Sequence, residues 1–174
     1  MRRFLERTLR LTVNETKSAV DRPWNRTFLG FTFTRRQSHR RLVSVKALKA
    51  FKAKVRGLTG RRRGRTIRQI VQELRQLMVG WREFCGFAEV RSPLRDLDKW
   101  VRRRLRSYHG QPWGRRGYRE RRKRGVGRQL AWNTAKSAHG PWRLSQSPAL
   151  AMALPQRYFA GLGLPSLVED LSNH

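Results

Sequence analysis

The chain has 174 residues, 38% of them apolar with six Trp and eight Phe, which is enough to bury a core in one domain or two small ones and excludes a disordered basic tail. Lys and Arg number 41 against 11 Asp and Glu, a formal charge of +30, and 33 of the 41 are Arg, so the expected partner is a polyanion offering phosphates, base edges or rings to guanidinium groups. One cysteine, Cys85, excludes an internal disulfide and every zinc site built on cysteine pairs.

No run approaches the roughly 18 apolar residues of a membrane span, and Met1-Arg2-Arg3-Phe4 lacks the apolar core of a signal peptide. A cytoplasmic protein without a membrane partner is expected. Charge divides the chain: residues 1–128 hold 38 basic and 9 acidic side chains, residues 129–174 only 3 and 2.

In chain order, Phe28 to Thr34 is rich in aromatic and β-branched residues, with Leu29, Phe31 and Phe33 on one face. The basic stretch Arg35 to Arg41 and then Leu42-Val43-Ser44-Val45 follow, predicting a β-hairpin. Gly30 marks a bulge, a close approach of another backbone, or a glycine tolerated at a sheet edge. From Val45 the period turns helical, with Leu48, Phe51, Val55 and Leu58, Ser44 as N-cap and Gly60 as a stop. Thr66 and Gln69 fit a capping box ahead of a long apolar stripe running from Ile67 to Phe84.

Ser92-Pro93 predicts the start of a third helix, with Leu94, Leu97, Trp100, Val101, Leu105 and Tyr108 buried and Arg95, Lys99, Arg102, Arg103 and Arg106 on the other face. Gly110 to Gly127 has no clean period and reads as a basic loop with one helical turn at most. Residues 129–174, with Trp132, Trp142 and many Leu, read as packing material. The expected fold is mainly α with a small β-hairpin: a helical bundle over residues 46–128 and an apolar C-terminal extension, 129–174, packing on it.

Catalytic signals are sparse. Asp96 and Asp98 lie two apart, point in different directions on a helix, and read as acidic residues favoured by a positive helix start. Four scattered histidines show no metal spacing, and Cys85 reads as a small core residue. What rises above background is Arg density with aromatics. Arg61, Arg62, Arg63 and Arg65, then Lys99, Arg102, Arg103 and Arg106, and then Arg115 and Arg116 are candidate phosphate contacts, with Trp113 and Tyr118 as candidate base-stacking rings.

Three stretches resemble the C-terminal part of bacterial group II intron reverse transcriptase/maturases. They are LTVNETKSAV from Leu11 leading into Phe28-Leu29-Gly30-Phe31, VGWREF from Val79 followed by LDKWVRRRL from Leu97, and PWRLSQSPAL from Pro141 with YFAGLGL from Tyr158. The resemblance implies that residues 1–45 are the end of a reverse transcriptase palm. In it Lys17 would lie near the incoming nucleotide, and Phe28, Leu29, Gly30 and Phe31 would form a primer-grip-like hairpin.

The helices that follow would be the maturase-specific thumb, which binds the intron RNA and grips an RNA/DNA duplex. The family's catalytic Asp pair lies upstream of the helix ending near Leu9, so a chain starting at Met1 is expected to lack it. The function expected is therefore an RNA-binding maturase-type module that assists group II intron folding and splicing without polymerase activity. No cofactor is expected in the chain, Mg²⁺ belonging to the RNA or to a complete polymerase. The alternatives are one piece of a split reverse transcriptase completed by a fingers-palm polypeptide in trans, and a truncated remnant without function.

Overall fold

The computed structural model describes residues 21–35, 38–60, 64–109 and 114–168, with a few isolated positions before them. Of the candidate residues, Lys17, Arg61, Arg62, Arg63 and Trp113 lie outside the described residues. The described chain is mainly helical with one two-stranded antiparallel hairpin, and none of its helices is long and apolar enough to cross a membrane.

The hairpin pairs β1 (Phe31–Phe33) with β2 (Arg41–Val43), Phe31 opposite Val43. The strand is shorter than the sequence predicts, because Phe28 and Phe31 exchange both backbone hydrogen bonds at 2.9 Å and close a tight turn. Leu29 and Gly30 at its centre have φ of 48° and 84°, the sign pattern of a type I′ turn. Phe28 and Leu29 are thereby turned outward, 74% and 76% exposed, instead of joining Phe31 on one face. Gly30 is approached closely by a side chain and not by another backbone: a Cβ there would meet Phe84 Cζ at 2.7 Å. Phe31 packs tilted on Phe84 at 4.7 Å, the Arg41 carbonyl accepts from the Glu89 and Val90 N–H groups, and the Arg41 N–H donates to the Glu89 carboxylate, so both ends of the hairpin are seated.

Helix α1 (Val45–Leu58) is capped by Ser44, whose hydroxyl accepts from Ala47 N–H at 3.2 Å, and it ends at Thr59, whose hydroxyl donates back to Val55 C=O. Phe51 and Val55 carry its buried face. Helix α2 (Ile67–Cys85) opens with the expected capping box formed in both directions between Thr66 and Gln69. It buries Ile70, Val71, Leu74, Met78 and Cys85, with Trp81 against Phe51 at 4.4 Å.

Helix α3 (Ser92–His109) starts one residue earlier than the Ser92 cap predicts: the Arg91 carbonyl accepts from Leu94 and Arg95. Pro93 stays harmless in the first turn, where its missing N–H would have no partner anyway.

The stretch predicted as a basic loop is helix α4 (Gly114–Lys123). It has no apolar stripe because it docks through Gly117, Tyr118 and the buried Arg121, a contact that periodicity cannot register. Short helices follow: α5 (Arg128–Lys136), α6 (Pro141–Leu144), α7 (Pro148–Ala153) and α8 (Gln156–Gly161). One buried cluster runs from Phe51 through Leu105 and on through Val126, Leu150, Phe159 and Leu167, while a smaller one under the hairpin holds Val43, Cys85, Ala88 and Leu94.

Asp98 is not a helix-start charge. It lies beyond the first turn, 4% exposed, and its carboxylate accepts from Arg102 Nη2 at 2.6 Å, Ser166 Oγ at 3.0 Å and Leu167 N–H at 3.4 Å. This ties α3 to a segment 68 residues later in the chain. Truncating Asp98 to Ala leaves a nearly buried guanidinium without its counter-ion, so a loss of about 3–5 kcal/mol in urea-denaturation stability is expected. A change below about 1 kcal/mol would show that the tie carries little of the fold.

Candidate nucleic-acid interface

The arginines of α3 run round the helix onto both flanks, and most are engaged inside the protein. Arg102 holds Asp98 with its side chain 12% exposed. Arg103 lies 3.9 Å from the centroid of the Trp142 ring, with Nε donating to Ser145 Oγ at 3.3 Å. Arg104 Nε donates to Thr59 Oγ1 at 2.9 Å, and Arg106 Nε to the Leu154 carbonyl at 3.0 Å. Burial, and then the neighbouring Arg102 charge, pull the Arg106 pKa below its ordinary value. Lys99 behaves differently: it is exposed and only loosely paired with Asp96 at 4.0 Å. Arg65 is paired with Glu73, and its carbonyl accepts from Tyr108 Oη at 2.6 Å.

Helix α4 is the most cationic exposed element. Arg115, Arg116, Arg119, Arg122 and Lys123 are exposed on it, so the candidates Arg115 and Arg116 share one short helix with Tyr118. Tyr118 stands edge-on to Trp132 of α5 at 5.8 Å, and Lys136 Nζ sits 4.4 Å from the same indole. Trp132 is 43% exposed and Trp142 37%, so both rings that read as packing material present a face or edge to solvent beside a cation. The available signal for Trp132 was its spacing from Lys136, four residues on, which stacks a cation over the ring on one helix face. The primer-grip-like residues split: Phe28 and Leu29 are exposed, while Gly30 and Phe31 pack on Phe84.

Behind α4 lies a cavity of about 360 Å³ between the end of α3, α4 and α7. Arg116, Glu120, Arg121 and Arg124 line one side, Leu150, Ala153 and Leu154 the other, with His109 at the end. His109 Nε2 is 3.2 Å from Arg124 Nη2 and 3.3 Å from Tyr158 Oη. A guanidinium only donates, so Nε2 accepts and the ring is neutral with its proton on Nδ1. Burial, and then the Arg124 charge, lower the His109 pKa against the opposing pull of Glu120, which favours the same neutral state.

Six of the seven described carboxylates are dispersed among cations. Asp21, Glu73, Glu89, Asp96, Asp98 and Glu120 each face a different basic side chain: Arg26, Arg65, Arg41, Lys99, Arg102 and Arg124. Among the described residues no three His, Cys, Asp or Glu side chains converge into a group that could hold a metal ion. Cys85 is fully buried in the cluster under the hairpin, and burial pushes its thiol pKa up to about 12. It is therefore expected to resist Ellman's reagent at about pH 8 in the native chain and to label fully in urea, whereas fast native labelling would show an accessible thiolate.

No curated protein matches the chain. Residues 48–127, from the first turns of α1 to the turn between α4 and α5, match the family described as Group II intron, maturase-specific domain. The matched span takes in α2, α3, the paired Asp98 and the exposed cations of α4.

Proposed function

We propose that the chain is an RNA-binding module that assists folding and splicing of a group II intron, the splicing chemistry being the RNA's own and the chain having no polymerase activity by itself. The observation that carries this reading is the coincidence of the maturase-specific match with the cationic surface. Residues 48–127 hold 25 basic and 6 acidic side chains, a net of +19, and α4 sets five of its cations outward. Such a surface neutralises phosphates, and the flanking rings stack bases that a helix leaves unpaired.

In this proposal Arg61, Arg62, Arg63, Arg65, Lys99, Arg115 and Arg116 contact phosphates, and Trp113, Tyr118 and the exposed Trp132 supply stacking faces. Arg103 and Arg106 serve the same surface from within, as the struts that hold α3 to the later helices, and Arg102 holds Asp98 of the same helix in place. A second reading, completion by a fingers-palm polypeptide in trans, is favoured by the outward Phe28 and Leu29. It requires primer extension that appears only on mixing the two polypeptides.

The deciding experiment is equilibrium binding to a group II intron domain and to a scrambled RNA of equal length across a salt titration. Charge alone gives both RNAs the same steep slope. The intron RNA is expected to keep at least a tenfold advantage at ~0.3 M salt, where the general field is screened; coincident curves would defeat the proposal. Trp132→Ala is expected to weaken binding to RNA with unpaired bases by about 1–3 kcal/mol, roughly 5- to 150-fold, and to leave a plain duplex within about twofold.

A further inference from the structure

The cavity behind α4 combines two kinds of wall. Arg116 and Glu120 of α4 and Arg124, just past its end with its N–H still donating to the Glu120 carbonyl, follow one another at four-residue steps and so form a single stripe. Arg121, 4% exposed, lies beside that stripe. Opposite them, Leu150, Ala153 and Leu154 are all buried and present only hydrocarbon. The volume, about 360 Å³, is near the lower end of ligand pockets, at the size of one nucleotide instead of a chain.

A simple inorganic anion would use the guanidinium side and leave the apolar side without a partner, and an apolar ligand would do the reverse. A nucleotide has both a phosphate and a flat, largely apolar ring with polar edges. We infer that this cavity is a nucleotide-binding site that takes the phosphate on Arg116 and Arg124 and lays the base against Leu150, Ala153 and Leu154.

Arg116 is exposed and sits at the rim, where a phosphate still linked to a chain can reach it. Glu120, whose Oε2 is 3.8 Å from Arg124 Nε, offers an acceptor to a base amino group and holds the Arg124 fork in place. Tyr158 and His109 brace Arg124 from behind: its guanidinium carbon lies 4.8 Å from the Tyr158 ring centroid, and Tyr158 stacks on the imidazole at 5.9 Å. The fork is thus fixed before a ligand arrives, which reduces the entropy lost on binding. The nucleotide has two sources, a free mononucleotide or an unpaired nucleotide of a bound RNA, and in the second form the inference rests on the RNA-binding reading above.

The test uses the full chain at ~0.15 M salt with AMP, inorganic phosphate, and two short RNA hairpins that differ by one unpaired adenosine. AMP is expected to bind at least tenfold more tightly than phosphate. Arg116→Glu should weaken AMP at least tenfold, while Arg95→Glu, the same charge change at an exposed position of α3 away from the cavity, should stay within twofold. If the hairpin with the extra adenosine binds more tightly in the same Arg116-dependent way and AMP competes with it, the source is RNA. If AMP alone shows the pattern, the source is the free nucleotide.

Ala153→Leu fills the cavity from the apolar side without altering charge and should abolish the AMP response, with circular dichroism confirming that the variant folds. Equal losses in Arg116→Glu and Arg95→Glu would overturn the site, as would AMP binding retained by a folded Ala153→Leu chain. So would AMP no tighter than phosphate together with no effect of the extra adenosine. A failure of this kind with the intron RNA preference intact in the salt titration removes the cavity site alone. Coincident intron and scrambled curves with an Arg116-dependent AMP response remove the RNA reading and leave a nucleotide site.

Discussion

Helix α3 has to bury an apolar stripe while carrying Arg102, Arg103, Arg104 and Arg106 within a turn and a half, and the way that conflict is resolved shapes what surrounds it. Leu94, Leu97, Val101 and Leu105 face the core, and the arginines emerge on both sides of them. Each guanidinium then finds a fixed acceptor or ring: Asp98, Trp142 with Ser145, Thr59, and the Leu154 carbonyl. Their long stems pack while their polar ends are satisfied, so Arg103, Arg104 and Arg106 act as ties between α3 and elements 39 to 48 residues away. Asp98 is the indispensable part of this arrangement, because a nearly buried cation beside it would otherwise lack a counter-charge.

The positive charge therefore serves two purposes. Part of it is structural and faces inward, half-buried, with donors placed on carbonyls and hydroxyls. The remainder stands outward on α1 and α4, where Lys46, Lys49, Lys54 and Arg56 on one helix and the five exposed cations on the other have room to meet an external polyanion. Trp100 sits below the α1 cations, with Lys52 and Arg56 at 5.6 and 5.5 Å from its ring, and Trp132 lies beside α4 under Lys136. Ring and cation recur together, which suits a partner made of phosphates and flat bases.

Helix α4 joins these two purposes. It has no apolar stripe of its own, yet Gly117 is buried, Arg121 is carried inside, and Arg115, Arg116 and Arg119 point out. The same helix forms one wall of the cavity and one face of the cationic surface. A ligand in the cavity and an RNA on the surface would share Arg116, so the two sites are physically coupled.

Much was legible along the chain because it is local. Periodicity and caps placed α1 and α2, Thr66 and Gln69 announced their reciprocal bonds, and the alternation over Phe28 to Thr34 followed by Leu42 to Val45 announced the hairpin. The charge asymmetry and three short motifs pointed to the family matched over residues 48–127.

What tertiary structure decided is long-range. That Phe28 and Leu29 turn outward depends on positive φ at two successive residues and on Phe84 occupying the space beside Gly30. That Asp98 is a tie depends on Ser166 and Leu167 arriving beside it, and that α4 is helical depends on its docking against α5. An amino-acid sequence by itself determined composition, local period and capping, since these need only neighbours within a turn or two. Which arginines face inward and which remain for a partner was decided by the fold alone, because a guanidinium is placed by acceptors far away in the chain.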